Sequence, residues 1–338
     1  MSANGIRLYI TEQGAHLHRR DGLLWIEKEG ETIEKFPLEQ VEEIHLFGGI
    51  QLTTPVIHHC LQRGVTVSFQ SQQGAYLGRL VAQDNAEAAT RMTQYTRHLE
   101  PEFRLNVAKA IVEGKIHNQR VFVSRREASP DLEREGEELE RFLKRFQGEV
   151  GSTSTLAELQ GVEGVAALHY FQLFPCLLEA AMPYGGGRKR PATDPLNALL
   201  NLGYTLLYND MLSALYAAGL DPYIGSFHEL KVGHACLASD LMEEFRPVIV
   251  DSLITLMVNH HELTADDFDT QKTGETRLKP AAFKKFLGRY DWRVNTNTHY
   301  ALTGERNTYR RIFRLQAYQY TRVLHGEAER YLPYLWER

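Results

Sequence analysis

The chain has 338 residues, more than most single hydrophobic cores hold, so its length predicts two domains. Hydrophobic residues make up 43% and charged residues 24%, as in globular proteins, and the net charge of −5 excludes a global attraction to nucleic acid. No apolar run reaches the roughly 18–20 residues needed to cross a bilayer, and the first residues lack the regions of a signal peptide. We therefore expect a cytoplasmic protein without a membrane partner.

The N-terminal part of the chain, from residue 4 to about 82, alternates between apolar and polar residues in short segments. These segments are rich in β-branched and aromatic residues and end at glycine-containing turns, which is typical of strands. We predict an antiparallel β domain over residues 1–84. One helix is expected within it, at "TPVIHHCLQRG", because a proline near the start and Gly64 at the end are typical helix boundaries.

After this domain the apolar residues recur about every 3.6 positions, which indicates helices almost to the C-terminus. The predicted helices cover residues 88–98, 101–124, 130–147, 155–181, 195–217, 235–258, 264–270, 280–287 and 307–325. We interpret residues 85–98 as a linker with the first helix, and residues 99–338 as an all-α domain. The predicted fold class is therefore α+β, with a small antiparallel β domain before a larger helical domain.

Glu163 lies inside one of the predicted helices, between Gly161 and Gly164. Glycine in a helix interior costs roughly 0.5–1 kcal/mol relative to alanine. Two glycines beside one carboxylate therefore suggest that another backbone or a ligand comes close. A tight helix crossing with a solvated glutamate is the alternative, and these residues alone do not decide between them.

The stretch "CLASDLMEEFRP" carries three carboxylates on one turn of a predicted helix, Asp240, Glu243 and Glu244. Side chains three and four apart on a helix are neighbours, so like charges there repel by roughly 0.2–0.5 kcal/mol per pair. Pro247 has no N–H, and its ring clashes with the carbonyl of Glu243. We therefore predict a kink in the helix at Glu243 and a cation that compensates the repulsion.

His228 ends a loop that contains glycine and proline, shortly before the same helix. Oxygen ligands with one imidazole suit Mg²⁺ or Mn²⁺, which prefer hard ligands. Glu163, His228 and Glu243 could share one such ion, with Asp240 beside it. The ion would neutralise phosphate oxygens and activate an attacking hydroxyl, as phosphodiester chemistry requires. A surface histidine and a solvated acidic face are the alternatives for each feature taken singly.

The stretch "GSFHELKVGHACLASDLMEEFRPVIVDSLI", together with "GKIHNQR", "GVEGVAALHYF" and "RKRPATDPLNALL", closely resembles the Cas1 family of CRISPR-associated integrases and endonucleases. The resemblance covers essentially the whole chain. It implies a β-rich N-terminal domain that forms a homodimer and a helical domain that carries a metal site. It also implies that Glu163, His228 and Glu243 are catalytic and hold Mg²⁺ or Mn²⁺, with Asp240 as an additional acid at the metal.

The implied partners are DNA and the small companion protein Cas2, whose dimer lies between two Cas1 dimers in a heterohexamer. The implied reaction is a metal-dependent transesterification, in which a protospacer 3′-OH attacks a phosphodiester at the leader–repeat junction of the CRISPR array. Two other functions remain open: a metal-dependent DNase or transposon-type integrase outside CRISPR immunity, and a catalytically inactive DNA-binding scaffold. The chain departs from the common family wording at "GSFH" and at "HAC" after Gly233.

Basic residues concentrate in three segments, at 104–120, 185–191 and 306–322. Lysine and arginine neutralise phosphates, and such contacts position DNA without reading its sequence. The predicted phosphate contacts are Lys115, Arg120, Arg188, Lys189, Arg190, Arg310, Arg311 and Arg314. An exposed charge that only keeps the protein in solution is the alternative for each of them.

Overall fold

A computed structural model of the protein describes residues 5–82, 88–125, 133–187 and 189–337. The chain divides into two compact units, residues 1–86 and 87–338. The first unit contains two β-sheets and the second is mainly helical, so the predicted α+β fold class is confirmed. Within the ranges given above, no helix combines the length and the apolar character that a membrane span requires.

The bounds of the regular elements follow in chain order. The strands are β1 (Ile6–Ile10), β2 (His16–Arg20), β3 (Leu23–Lys28), β4 (Glu31–Pro37), β5 (Val41–Phe47), β6 (Gln51–Leu52), β7 (Thr66–Gln70), β8 (Tyr76–Arg79), β9 (Phe268–Thr270), β10 (Thr276–Leu278), β11 (Asn297–Tyr300) and β12 (Glu305–Thr308). The α-helices are α1 (Thr54–Arg63), α2 (Ala88–His98), α3 (Pro101–Ser124), α4 (Glu133–Val150), α5 (Leu156–Leu173), α6 (Pro195–Ala217), α7 (Cys236–Met242), α8 (Ser252–Asn259), α9 (Pro280–Val294) and α10 (Tyr309–Leu324).

The strands of the first unit form two four-stranded sheets, ordered β1-β5-β7-β8 and β4-β3-β2-β6. β1, β5 and β7 run parallel, as do β2 and β6, while the remaining neighbours are antiparallel. The sheets are therefore mixed, which corrects the predicted purely antiparallel arrangement. The predicted helix is α1, and it supplies the crossover that the parallel neighbours β5 and β7 need. Gly64 ends α1 in the left-handed conformation, with φ of 69°.

One apolar core holds the first unit together. It contains side chains from both sheets, such as Leu17, Leu24, Ile44 and Val67, and Val56 from α1, all fully buried. Burying a side chain of this size contributes roughly 1.5–3 kcal/mol. The alternating residues of the strands thus place one face of each sheet on a shared core.

Most predicted helices of the second unit are present, but the unit is not all-α. Two hairpins, β9–β10 and β11–β12, interrupt the helices. The helix predicted at 264–270 is only a 3₁₀ turn at Ala265–Asp267, followed directly by β9. A capping box formed by Thr264 and Asp267 starts that turn, but Phe268 already pairs with β10, so strand pairing prevails over helix extension.

The long helix predicted at 235–258 is interrupted at the acidic cluster. After α7 the chain forms a 3₁₀ turn at Glu243–Phe245 and a π-helical segment at Arg246–Asp251, and then continues as α8. Pro247 has no N–H to donate to the carbonyl of Glu243, which accounts for the break in α-helical hydrogen bonding. This break in α-helical hydrogen bonding lies where the kink at Glu243 is predicted, and π segments of this kind are frequent at functional sites.

Candidate active site

The carboxylates of Glu163 and Glu243 lie on either side of one lysine side chain. Lys115, on α3, forms an ion pair with Oε1 of Glu163 on α5, and its Nζ lies 2.7 Å from Oε2 of Glu243. The side chains of Lys115 and Glu243 are only 6% and 3% exposed, whereas Glu163 keeps 19% of its side chain exposed. Three separate helical segments therefore bring two acids together at one buried positive charge.

His228 completes this cluster from the loop that precedes α7. Its Nε2 lies 4.0 Å from Oε1 of Glu243, and its Nδ1 lies 2.7 Å from Oδ1 of Asp240. Burial acts to lower the pKa of His228, but the hydrogen bond and charge of Asp240, with the charge of Glu243, outweigh it and raise the pKa. Because Asp240 accepts from Nδ1, the other nitrogen, Nε2, is the one available on the side of Glu243.

Asp240 is fully buried, and both of its oxygens are occupied by donors. Oδ2 accepts from the backbone N–H groups of Ser226 and Phe227, at 2.6 and 2.9 Å, and Oδ1 accepts from the N–H of His228 at 2.9 Å in addition to its ring. A Cβ on Gly225 would lie only 2.5 Å from Oδ2, so this glycine permits the approach. The prediction that Asp240 is a further metal ligand fits this geometry poorly; the contacts favour a role in positioning His228.

Asp240→Asn should therefore lower the stability of the protein. The asparagine amide would place an N–H donor against the buried backbone N–H donors that Asp240 now accepts from. At least one donor would lose its acceptor, and an unsatisfied buried donor costs about 1–3 kcal/mol. Urea denaturation measures the effect, with Asp266→Asn in the exposed 3₁₀ turn as the matched control. Equal unfolding midpoints for Asp240→Asn and the wild type would show that the loop does not depend on this carboxylate.

Arg246 is a second cation at Glu243, and it is not among the site residues predicted from the sequence. Its Nη2 lies 3.1 Å from Oε1 of Glu243, and its guanidinium lies over the ring of Tyr204, 5.0 Å from the ring centre. Burial acts to raise the pKa of Glu243, but the charges of Arg246, Lys115 and His228 outweigh it and lower the pKa. The spacing of three residues between Glu243 and Arg246 was the available signal, because it places both on one side of a helical turn.

The segment "GKIHNQR" on α3 holds the turn that carries Glu243. The side-chain amide of Asn118 donates to the backbone carbonyls of Glu244 and Tyr334, at 2.6 and 2.8 Å. A Cβ on Gly114 would lie 2.5 Å from the side chain of Pro333 in the C-terminal segment, so only glycine fits there. Gly114, Lys115 and Asn118 thus anchor one active-site segment from one helix.

The two glycines beside Glu163 do not mark a helix crossing. A Cβ added to Gly161 or Gly164 would meet nothing within 4 Å. Glu163 itself is bound to Lys115 rather than fully solvated. The alternative of a tight crossing with a solvated glutamate is therefore wrong, and so is the expectation that another backbone comes close to these glycines.

Two of the residues predicted to contact DNA phosphates have internal partners instead. Lys115 is buried between Glu163 and Glu243, as described above. Arg310 is only 16% exposed, and its guanidinium binds Asp291 at 3.0 Å and Asn295 at 2.8 Å. These partners occupy both side chains in the structure, so a phosphate contact would require Lys115 or Arg310 to leave them first.

The other predicted DNA contacts differ in accessibility. Arg120 is partly buried and donates to Gln147 at 2.5 Å. Arg188 lies outside the described residues. The remaining four side chains, which are all on exposed positions, are Lys189, Arg190, Arg311 and Arg314. The pKa of Arg190 is lowered, first by desolvation and then by the charge of Arg246.

The donor atoms of the cluster suit a hard divalent cation. Two carboxylates and one imidazole are ligands that Mg²⁺ and Mn²⁺ accept, and Oε2 of Glu243 is buried without a partner in hydrogen-bond geometry, although Lys115 lies close to it. No three His, Cys, Asp or Glu side chains in the described part of the chain are grouped closely enough to hold an ion. The ammonium group of Lys115 explains this, because it lies between the two carboxylates.

The chain is similar to known proteins over most of its length. Residues 8–291 match the family described as "CRISPR associated protein Cas1". The CRISPR-associated endonuclease Cas1 3 of Thermus thermophilus is 38% identical over 329 residues, which cover 97% of this chain and 96% of that relative. A chain of a Cas6-RT-Cas1–Cas2 complex is 26% identical with a TM-score of 0.83; the match covers 100% of this chain and 37% of that longer one.

A casposase bound to its integration product shares the fold, with a TM-score of 0.83 and 24% identity over 98% of this chain and 94% of the casposase. The family match covers most of the chain, and the similarity to the Thermus thermophilus relative extends over nearly its full length. The matched range 8–291 includes Lys115, Glu163, His228 and Glu243. The chain is a member of the Cas1 family of CRISPR-associated proteins.

Proposed function

We propose that this protein is a metal-dependent DNA endonuclease and integrase of CRISPR adaptation, which joins protospacer 3′-OH ends to the CRISPR array by transesterification. The observation that carries the proposal is the position of Glu243: Lys115 links its Oε2 to Glu163, and Nε2 of His228 lies 4.0 Å from its Oε1. Family membership supports the reaction class, since the relative from Thermus thermophilus is named an endonuclease.

The proposed ligands of Mg²⁺ or Mn²⁺ are Oε atoms of Glu163 and Glu243 and Nε2 of His228. A bound ion would neutralise charge on the scissile phosphate and favour attack by a hydroxyl oxygen. Asp240 holds the proton of His228 on Nδ1, so that the lone pair of Nε2 remains free on the side of Glu243. Asp240 accepts hydrogen bonds from N–H groups of the loop at residues 225–228. This loop thus orients His228 within the proposed ligand set.

Arg246 has a different role in this proposal. Its guanidinium is held beside Glu243 and over Tyr204, whose hydroxyl donates to Asp251 at 2.6 Å. A cation fixed in this way needs little reorganisation when negative charge develops on a phosphate nearby. Arg246 therefore keeps Glu243 ionised and adds positive charge at the reacting phosphate.

DNA would bind through exposed basic side chains around the site. Lys189, Arg190, Arg311 and Arg314 remain candidates for phosphate contacts, because their positions are exposed. With a net charge of −5, attraction depends on these local groups and not on the overall charge. Binding is expected to be independent of DNA sequence and to weaken with salt, since phosphate contacts release counterions.

The proposed assembly contains a homodimer formed by the β unit and a heterohexamer with Cas2. The solved structure that matches at 26% identity is named a Cas6-RT-Cas1–Cas2 complex. This name supports Cas2 as a partner. The predicted boundary after residue 84 would separate the dimerisation unit from the catalytic unit. Light scattering with size-exclusion chromatography tests the homodimer, and a monomer at micromolar concentration would contradict it.

A strand-transfer assay tests the proposed function directly. Purified protein and the Cas2 of the same genome are incubated with a labelled 3′-OH duplex and a supercoiled plasmid that carries leader and repeat. We expect joined product at the leader–repeat junction with Mn²⁺ or Mg²⁺ and none with EDTA, because the ion neutralises the scissile phosphate.

Two results would favour the other functions. Nicking of any plasmid without preference for the junction, and without a requirement for Cas2, would indicate a nuclease or transposon-type integrase outside CRISPR immunity. DNA binding without joined or nicked product, in the presence of Cas2 and metal, would indicate a scaffold. A duplex with 3′-dideoxy ends is the control, because it binds in the same way but has no hydroxyl to attack.

A further inference from the structure

The lysine at the centre of the active site occupies the place that the proposed metal ion needs. Nζ of Lys115 contacts Glu163 and lies 2.7 Å from Oε2 of Glu243. These are the two carboxylates of the proposed ligand set. The lysine side chain is 6% exposed, so its charge is neutralised by these acids more than by water.

Lys115 and Glu243 form a buried ion pair, with Nζ of the lysine 2.7 Å from Oε2 of the carboxylate. Oε2 of Glu243 is buried, and none of its neighbours meets hydrogen-bond geometry. Oε1 of the same carboxylate faces Arg246 at 3.1 Å and His228 at 4.0 Å. The lysine is a point charge on a flexible four-carbon stem, so its ammonium group can withdraw when another cation binds the carboxylates.

An ammonium group and a divalent ion cannot share the space between the two carboxylates, because like charges at such short separations repel strongly. We propose that Lys115 is a built-in competitor for the divalent ion: its ammonium holds Glu163 and Glu243 together until the ion displaces it. This inference rests on the metal-dependent function proposed above. It assigns a regulatory role to a residue of the same site.

Once a divalent ion has displaced it, the ammonium group of Lys115 requires another negatively charged partner. The site is largely buried, and the two carboxylates that neutralised Lys115 then face the divalent ion. A phosphate oxygen of bound DNA is an acceptor that the reaction itself brings to this place. DNA and the divalent ion should therefore bind cooperatively, and by linkage each strengthens the binding of the other. Metal-loaded protein would then accumulate mainly on substrate.

Lys115→Met tests the inference through Mn²⁺ affinity, measured by isothermal titration calorimetry on the full chain. Methionine keeps the volume of the stem and removes the charge. We expect Lys115→Met to bind Mn²⁺ at least about fivefold more tightly than the wild type in the absence of DNA. A short duplex with 3′-dideoxy ends should tighten Mn²⁺ binding to the wild type and leave that of Lys115→Met nearly unchanged.

The controls separate this inference from the proposed function. Lys109→Met, on the same helix but bound to the carbonyl of Gly151, should bind Mn²⁺ as the wild type does. Equal or weaker Mn²⁺ binding by folded Lys115→Met would overturn the competitor role and leave the metal site intact. Absence of Mn²⁺ binding in both proteins would overturn the metal-dependent function as well. If circular dichroism shows that Lys115→Met does not fold, Lys115→Gln replaces it, because its amide can still bridge the two carboxylates.

Discussion

Glu243→Gln is expected to reduce strand transfer by about 10²–10³-fold, the range seen when one preorganised group that stabilises charge in the transition state is removed from an active site. The amide keeps the size of the side chain but not its negative charge. Glu243 is the only acid in the cluster that contacts Lys115, Arg246 and His228 together among the described residues. Its loss therefore removes a proposed ligand and leaves the two cations Lys115 and Arg246 without the counterion that they share.

The measurement combines rate and metal binding. Strand transfer is followed under single-turnover conditions with saturating Mn²⁺, and Mn²⁺ affinity is measured separately by calorimetry. Glu262→Gln is the matched control, because Glu262 also pairs with an arginine, Arg289, at 2.7 Å, but belongs to the turn after α8. A rate for Glu243→Gln within a few-fold of the wild type would exclude Glu243 from catalysis.

Part of this site could be predicted from the sequence, and the limit lies in long-range contacts. The repulsion among acids on one helical turn indicated that a cation was needed, and the family resemblance pointed to Glu163, His228 and Glu243. Lys115 was interpreted as a DNA contact, because a lysine in a basic segment carries no local sign of its partner. Glu163 is 48 residues away in the chain, and only the packing of α3 against α5 and the turn at Glu243 brings them together.

The role of Asp240 shows the same limit. Its spacing from Glu243 predicted that both carboxylates face one ion. In the structure the loop at residues 225–228 folds over Asp240 and supplies its donors, and helical periodicity does not predict the path of a loop.

The pairing of strands in the first unit could be predicted only in part. Alternation of apolar and polar residues indicated the strands, but parallel pairing of β1, β5 and β7 depends on how the chain connects them.

Glu244 is the second residue for which a large effect is expected. It is fully buried, and its carboxylate accepts from Gln316 and the hydroxyl of Tyr331, both at 2.9 Å, and from the N–H of Tyr334 at 2.8 Å. Burial raises the pKa of Glu244 to about 8, and these three hydrogen bonds only partly oppose the shift. At neutral pH the folded protein therefore holds this carboxyl largely in its neutral form.

The stability of the protein should consequently fall as the pH rises between 4.5 and about 8. In this window the unfolded chain, with an ordinary pKa of 4.5, has lost the proton that the folded protein retains, so the unfolded state binds fewer protons. The slope from this one group is at most about 1.4 kcal/mol per pH unit. His228 acts in the same direction above its ordinary pKa of 6.5, because its folded pKa is also raised.

Glu244→Gln isolates the contribution of this carboxyl. The amide resembles the neutral acid, and the hydroxyl oxygen of Tyr331 can accept the hydrogen bond that either group donates. We expect the variant to lose most of the pH dependence of the wild type and to exceed it in stability near pH 8, as measured by urea denaturation at several pH values. Glu113→Gln, at an exposed position of α3, should retain the pH dependence of the wild type.

The contradicting outcome would be the same pH dependence of the free energy of unfolding in Glu244→Gln and the wild type. It would show that Glu244 is ionised in the folded protein. In that case the C-terminal segment would be bound to a buried negative charge. Loss of the pH dependence in Glu244→Gln would instead show that a neutral carboxyl group holds the C-terminal segment against α3 and α10.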